Sequence, residues 1–355
     1  MGSLSRFDGK ISTFQVVLAC LLLCASLPAA QAASYKVTIL TSDQSGTAPN
    51  IDPNLQNPWG LGYSPAGPFW AADEHSGVST IYNGTGAPQS LVVTIPPAPG
   101  HSKGRPTGTV FNPSQDFQVL GQPSLFLFAT EDGTISGWNS ASGTSAVLAV
   151  DNSASHANYK GLELGNNGTG NFLYAANFFA GTVDVFDKNF QPAVLSGSFT
   201  DPNLPAGYAP FNIIKSGTRL VVAYGKQNAG KTNAVLCAGC GFVDLFDLNG
   251  NFKKRFAGQG TLNAPWGLAI APANFGTFSS DVLIANLGDG RINAFSPAGV
   301  FQGQLLNAAG KPITLLGLWA IKFGNGGMGG QKTELFFVSG PGGYAHGRFG
   351  KITAQ

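Results

Sequence analysis

Charge is scarce in this sequence. Only 11% of its 355 residues are Asp, Glu, Lys or Arg, against roughly 25% in ordinary soluble domains. Twenty basic residues oppose eighteen acidic ones, for a net charge of +2, so no field draws the chain toward nucleic acid or an anionic membrane. Histidine is limited to His75, His101, His156 and His346, which leaves few bases for a catalytic triad, and no GxSxG nucleophile elbow occurs. Helical periodicity is missing beyond the first thirty or so residues, which excludes helical bundles and alternating α/β folds. What is abundant is apolar residues (43%) and turn formers, with 49 Gly and 22 Pro making up a fifth of the chain. That composition builds a large packed core with many tight turns and excludes intrinsic disorder.

The one long apolar run is N-terminal. Arg6 and Lys10 precede an uncharged stretch over residues 14–27, Pro28 breaks it, and Ala30-Gln31-Ala32 supplies a small-x-small site. This is the pattern of a cleaved signal peptide over residues 1–32, too short for a membrane span that needs about 20 apolar residues. A lipoprotein reading would have to use Cys20, yet the apolar run continues past it. The expectation is a secreted or periplasmic protein, without stable membrane insertion after cleavage, whose mature chain starts at Ala33. Cys20 and Cys24 leave with the signal, so Cys237 and Cys240 remain. Their surroundings read as a turn running into a strand rather than a helix N-terminus, which favours a local disulfide over redox chemistry. One CxxC without paired histidines is no zinc site.

The mature chain repeats. Stretches beginning at Asn57, Arg105, Tyr159, Ala209, Ala264 and Leu318 align on Gly60, Gly108, Gly161, Asn212, Gly267 and Ala320, with spacings of 48, 53, 51, 55 and 53 residues. Each unit carries a short apolar strand (WGLGY, KGLEL, WGLAI), then a strand ending in a small residue and Asp or Asn (FWAAD, LYAAN, VLIAN). A Gly turn follows, then an alternating strand (TVDVFD, FVDLFD) and a weaker outer strand. Four antiparallel strands per repeat of about 50 residues define a β-propeller blade. The prediction is an all-β fold, one six-bladed β-propeller domain over residues 33–355. The sixth unit runs out after its third strand, near Ile352, while residues 35–40 are a strand left over. That N-terminal strand is expected to close the last blade, removing the exposed edge.

Units combining PWGL, AAN, a Gly turn and VFD resemble NHL-type propeller repeats. The mature chain as a whole is similar to an uncharacterised family of bacterial exported β-propeller proteins sharing the NPWGL start, a resemblance that implies the fold and no particular activity. The fourth repeat departs most, with Tyr224 in place of Asp or Asn and an insert over residues 226–239. The sixth has Ser339 at that position and a glycine-rich insert.

Meander topology places two sets of residues at one end of the propeller. Trp59, Arg105, Lys160, Phe211, Trp266 and Trp319 lie in or near the first. Asp73, Thr130, Asn177, Tyr224, Asn286 and Ser339 mark the second, with Glu74, His75, Glu131 and Asp132 beside them. Loops on a rigid scaffold are where function sits, so Asp73, Glu74, His75, Glu131, Asn177, Tyr224 and Asn286 are the candidate ligand-binding residues. Asp and Asn after a strand also stabilise their own turns, and their recurrence once per repeat favours that role. The reading is therefore a non-enzymatic binding or interaction module, a monomer, whose partner is a protein, a glycan or a small molecule. The alternative resembles six-bladed lactonases of the gluconolactonase type: a divalent-metal-dependent hydrolase holding Ca²⁺ through Asp73, Glu131, Asn177 and Asn286, since Ca²⁺ takes 6–8 oxygen ligands. The Gly324–Gly329 match to GxGxxG lies between strands and has no helix to hold a pyrophosphate. Asn83-Gly84-Thr85 and Asn167-Gly168-Thr169 are glycosylation sequons.

Overall fold

The computed structural model describes residues 1–2 and 34–355; the export signal expected over residues 1–32 falls almost entirely outside them. No helix among the described residues is long and apolar enough to cross a membrane. Six antiparallel sheets follow one another along the chain, one per repeat. Their innermost strands are Pro58–Tyr63, Pro106–Phe111, Tyr159–Asn166, Tyr208–Ser216, Pro265–Ile270 and Leu318–Phe323, each the neighbour of the next, and the last returns to the first. The chain is a six-bladed β-propeller.

Ring closure uses the N-terminus. Tyr35–Ser42 pairs antiparallel with Arg348–Ala354, from Tyr35 opposite Ala354 to Ser42 opposite Arg348. It becomes the outer strand of the sixth blade, with the two-residue strand Asn50–Ile51 added parallel to it. Five blades have at least four strands. The third has three, its outer strand reduced to a single bridge between Phe186 and Pro192.

The register glycines have a shared physical cause. A Cβ on Gly60 would stand 2.5 Å from the Thr107 carbonyl of the second blade, one on Gly108 2.5 Å from the Leu162 nitrogen of the third, and one on Gly267 2.6 Å from the Trp319 carbonyl of the sixth. Innermost strands crowd together around the axis, and only glycine lets the backbones approach so closely. The fourth repeat fills this position with Asn212, whose amide donates to the Trp266 carbonyl of the fifth blade (2.8 Å).

Elsewhere the blades meet through apolar side chains, with one cluster at each junction. Trp70, Ile81, Phe126 and Phe128 join blades one and two, for example, and Leu283, Ile292, Leu335 and Phe337 join five and six. A single blade could not bury both of its faces; stacking does it.

Candidate functional site

Of the residues just before the register marks, Trp59, Phe211, Trp266 and Trp319 meet at the axis with Lys160 over Trp59, while Thr107 bonds the Ala129 and Tyr159 carbonyls. The indoles of Trp59 and Trp319 stack at 3.6 Å between ring centroids, and Trp266 packs edge-on to both at 5.2 Å. Phe211 stands edge-on to Trp266 at 4.9 Å. These rings plug the axis and divide its space into two cavities.

The cavity at the loop end has a volume of about 420 Å³. Trp59, Trp319, Phe211 and Tyr344 supply its aromatic wall, and Glu74, Arg105 and Glu131 its charged one. The insert of the fourth repeat covers one side with Ala234 and Leu236. That insert is tied down where it meets the blade: Val235 donates its N–H to the Lys226 carbonyl (2.7 Å), and the Gln227 amide donates to the Phe178 carbonyl (2.5 Å). Cys237 and Cys240 are joined by a disulfide at its C-terminal end.

A continuous polar chain runs around the cavity from the sixth blade to the third. The Trp319 indole N–H donates to Asn57 Oδ1 (3.0 Å), and the Asn57 amide donates to Glu74 Oε2 (2.7 Å). Arg105 bridges the two glutamates, with Nε on Glu74 (2.7 Å) and Nη2 on Glu131 (2.6 Å). Glu131 then pairs with the Lys160 ammonium, which also lies 4.8 Å over the Trp59 ring. Lys160 and both glutamates are buried, whereas the Arg105 side chain is 51% exposed. Burial lowers the Lys160 pKa, and Glu131 opposes that shift. Burial also acts to lower Arg105, but the carboxylates of Glu131 and Glu74 outweigh it and raise the guanidinium. Two anions and two cations balance within the cluster, so the cavity demands no formal charge of its occupant.

Of the seven candidates from sequence, the structure brings Glu74, His75 and Glu131 to this cavity. The other four it does not. Asp73 Oδ2 accepts from the Thr80 N–H (3.0 Å) and hydroxyl (2.7 Å). Asn177 accepts from the Asn158 and Ala180 N–H groups and donates to Asp184. Asn286 accepts from the Asn263 N–H and donates to the Thr261 carbonyl. Tyr224 is buried among apolar neighbours between the third and fourth blades. Asp73 (through Oδ2), Asn177 and Asn286 are thus engaged within their own blades, as turn residues are, while the buried Tyr224 hydroxyl has no hydrogen-bond partner among the described residues. Of the four residues grouped for Ca²⁺ in the alternative reading, Glu131 lines the cavity, and Asp73, Asn177 and Asn286 make the turn hydrogen bonds just given; the described residues contain no group of three His, Cys, Asp or Glu side chains arranged to hold a metal ion.

Sequence reasoning missed Asn57 and Tyr344. A signal for Asn57 was available. Asn57 (φ 46°) and Ala264 (φ 49°) occupy the same left-handed position before Pro-Trp-Gly, so the turn itself does not need the amide. Tyr344 lies in the glycine-rich insert, where no periodic pattern marks it.

This architecture defines a class, the six-bladed β-propellers with NHL-like blades. No family model matches the chain. The chain belongs to the same protein family as the uncharacterized proteins R648 and L690 of Acanthamoeba polyphaga mimivirus. It is 31% identical to R648 over 297 residues (80% of this chain, 72% of R648) and 32% identical to L690 over 304 residues (82% and 79%). Among solved structures it is similar to a protein of unknown function from Bacteroides thetaiotaomicron (TM-score 0.57, 12% identity, 91% of this chain and 76% of that one). It is also similar to virginiamycin B lyase from Staphylococcus aureus (0.52, 12%, 90% and 99%) and to the calcium-binding protein regucalcin from Agrobacterium tumefaciens (0.52, 10%, 84% and 90%). At these identities the likeness shows the fold alone.

Proposed function

We propose that this chain is an exported binding module for a small, neutral, hydroxyl-bearing ligand of the glycan class, taken up in the loop-end cavity. The observation that carries the reading is the pairing, in one cavity of about 420 Å³, of an aromatic wall with a self-neutralised carboxylate–guanidinium chain. That volume falls within the roughly 300–1,000 Å³ of small-molecule sites. Carboxylate and guanidinium groups already held by their neighbours can accept and donate hydrogen bonds to hydroxyls without reorganising, and aromatic faces take the apolar side of a sugar ring. Glu74 and Glu131 are each engaged by cations, which suits them to hold a ligand in place rather than to transfer protons. The export component rests on the residues 1–32 pattern alone.

Trp59 and Trp319 serve as built-in reporters. Titrating neutral mono- and disaccharides against the mature protein is expected to give a saturable change in tryptophan fluorescence with at least one of them. Arg105→Ala is expected to weaken that binding about tenfold, the effect of losing one charge-assisted contact. No saturable change across the panel would overturn the reading.

A further inference from the structure

On the other side of the aromatic plug the axis opens into a second cavity of about 250 Å³, walled by the innermost strands of all six blades. Three charged residues line it: Lys215 of the fourth blade and, on opposite parts of the ring, Glu163 of the third blade and Lys322 of the sixth. The Glu163 carboxylate is fixed from both ends: Oε1 accepts the Leu164 N–H (2.8 Å) and Oε2 the Lys215 N–H (2.8 Å). Each oxygen keeps a lone pair to spare. The Lys322 ammonium lies 4.9 Å over the Tyr63 ring. It makes no hydrogen bond to protein, and no ion pair within 4.0 Å, among the described residues. Three N–H donors are therefore left facing a confined space, with a fixed anion beyond reach of direct contact.

A bare ammonium in such a place calls for an acceptor, and a half-used carboxylate can take a donor. A molecule spanning the gap must bring an acceptor to Lys322 and a donor to Glu163. A small zwitterion, with ammonium and carboxylate one carbon apart, answers both and needs no counter-ion. The exposed Lys215, also lining this cavity, favours approach of the carboxylate end. The volume lies below the roughly 300 Å³ where drug-sized sites begin, which limits the ligand to something the size of a single amino acid. We infer that this end of the axis is a second binding site, specific for a small α-amino-acid-like zwitterion whose carboxylate meets Lys322 and whose ammonium meets Glu163. The site is independent of the loop-end cavity and of the function proposed for it.

Calorimetric titration of the full mature chain with glycine, acetate and methylammonium tests this. Glycine is expected to bind saturably, and acetate and methylammonium each at least about tenfold more weakly, since each engages one charge only. Lys322→Met keeps the apolar stem against Tyr63, and Glu163→Gln keeps the shape and an acceptor for one of the two backbone N–H groups. Each is expected to lose about tenfold or more in glycine affinity with an unchanged circular dichroism spectrum. Acetate binding as tightly as glycine would overturn the zwitterion assignment in favour of a plain anion site. Absence of saturable glycine binding by the folded wild type would mean that the cavity holds water only. The three-ligand comparison needs no variant, so it decides the matter even if a substitution prevents folding.

Discussion

At the scale of single residues, the most instructive side chain is Asp73. The sequence offers it as a turn residue first and a metal ligand second, because both roles place an acidic residue at the end of a strand and recurrence once per repeat favours the turn. The structure gives Oδ2 two donors from Thr80 and buries the carboxyl completely. Burial pushes its pKa well above the usual carboxylate range, against the pull of the Thr80 hydrogen bonds. The folded chain therefore binds a proton that the unfolded chain releases near pH 4. Asp73 favours folding below that pH, and its contribution is lost as pH rises through the elevated folded value. Asp73→Asn removes the titrating group and is expected to flatten the dependence of melting temperature on pH from 4 upward. Asp73→Ala leaves the Thr80 donors unmet and is expected to cost about 1–3 kcal/mol in a denaturant titration. Glu74 and Glu131 were legible as neighbours of the turn positions. The pairing of Glu131 with Arg105 and Lys160, and of Glu74 with Arg105, becomes visible only when blades one, two and three are brought together, since no local pattern joins residues so far apart in sequence.

Among elements, the innermost strands show how far the sequence can be read. A glycine in four of the six repeats marked the register, and its physical cause is the close approach of adjacent strands at the axis. Gly108→Ala is expected to destabilise by about 1–3 kcal/mol through overpacking, because its Cβ would stand 2.5 Å from the Leu162 nitrogen and 2.8 Å from its Cβ. Chemical denaturation checks this, with Gly100→Ala as a weak comparison in open space, where only its positive φ is strained. The closing strand was equally legible, since residues 35–40 formed an unpaired strand pattern and the sixth repeat lacked one. Removing residues 33–42 would leave Arg348–Ala354 as a bare edge. The truncated chain is expected to self-associate on size-exclusion chromatography while the full mature chain elutes as one species. The walls of the loop-end cavity were harder to foresee. Ala234 and Leu236 lie in an insert of the fourth repeat, and Tyr344 in one of the sixth. Neither follows the blade period, so their meeting at the axis depends on closure of the ring.

For the molecule as a whole, stability lies in the six junctions between blades, and several tyrosines are buried within them. Tyr82, Tyr159, Tyr174 and Tyr224 all have pKa values raised by burial, with nearby carboxylates adding to the shift. Their unfolded counterparts ionise near pH 10. The stability these hydroxyls lend is thus intact below about pH 10 and falls as pH climbs from there toward the raised folded values. Tyrosinate absorbance is expected to appear for these residues in step with loss of circular dichroism at high pH, rather than before it. Function, on this account, sits in the two spaces left on either side of the aromatic plug. The loop-end cavity is the more specific claim, because its polar chain links four blades around a single volume. A crystal structure of the mature protein soaked with the saccharide giving the strongest fluorescence change tests it most directly. The account predicts a sugar ring against Trp319 or Tyr344, with hydroxyls on Glu74, Arg105 or Glu131. A sugar bound elsewhere on the surface, with the loop-end cavity holding only solvent, would contradict it.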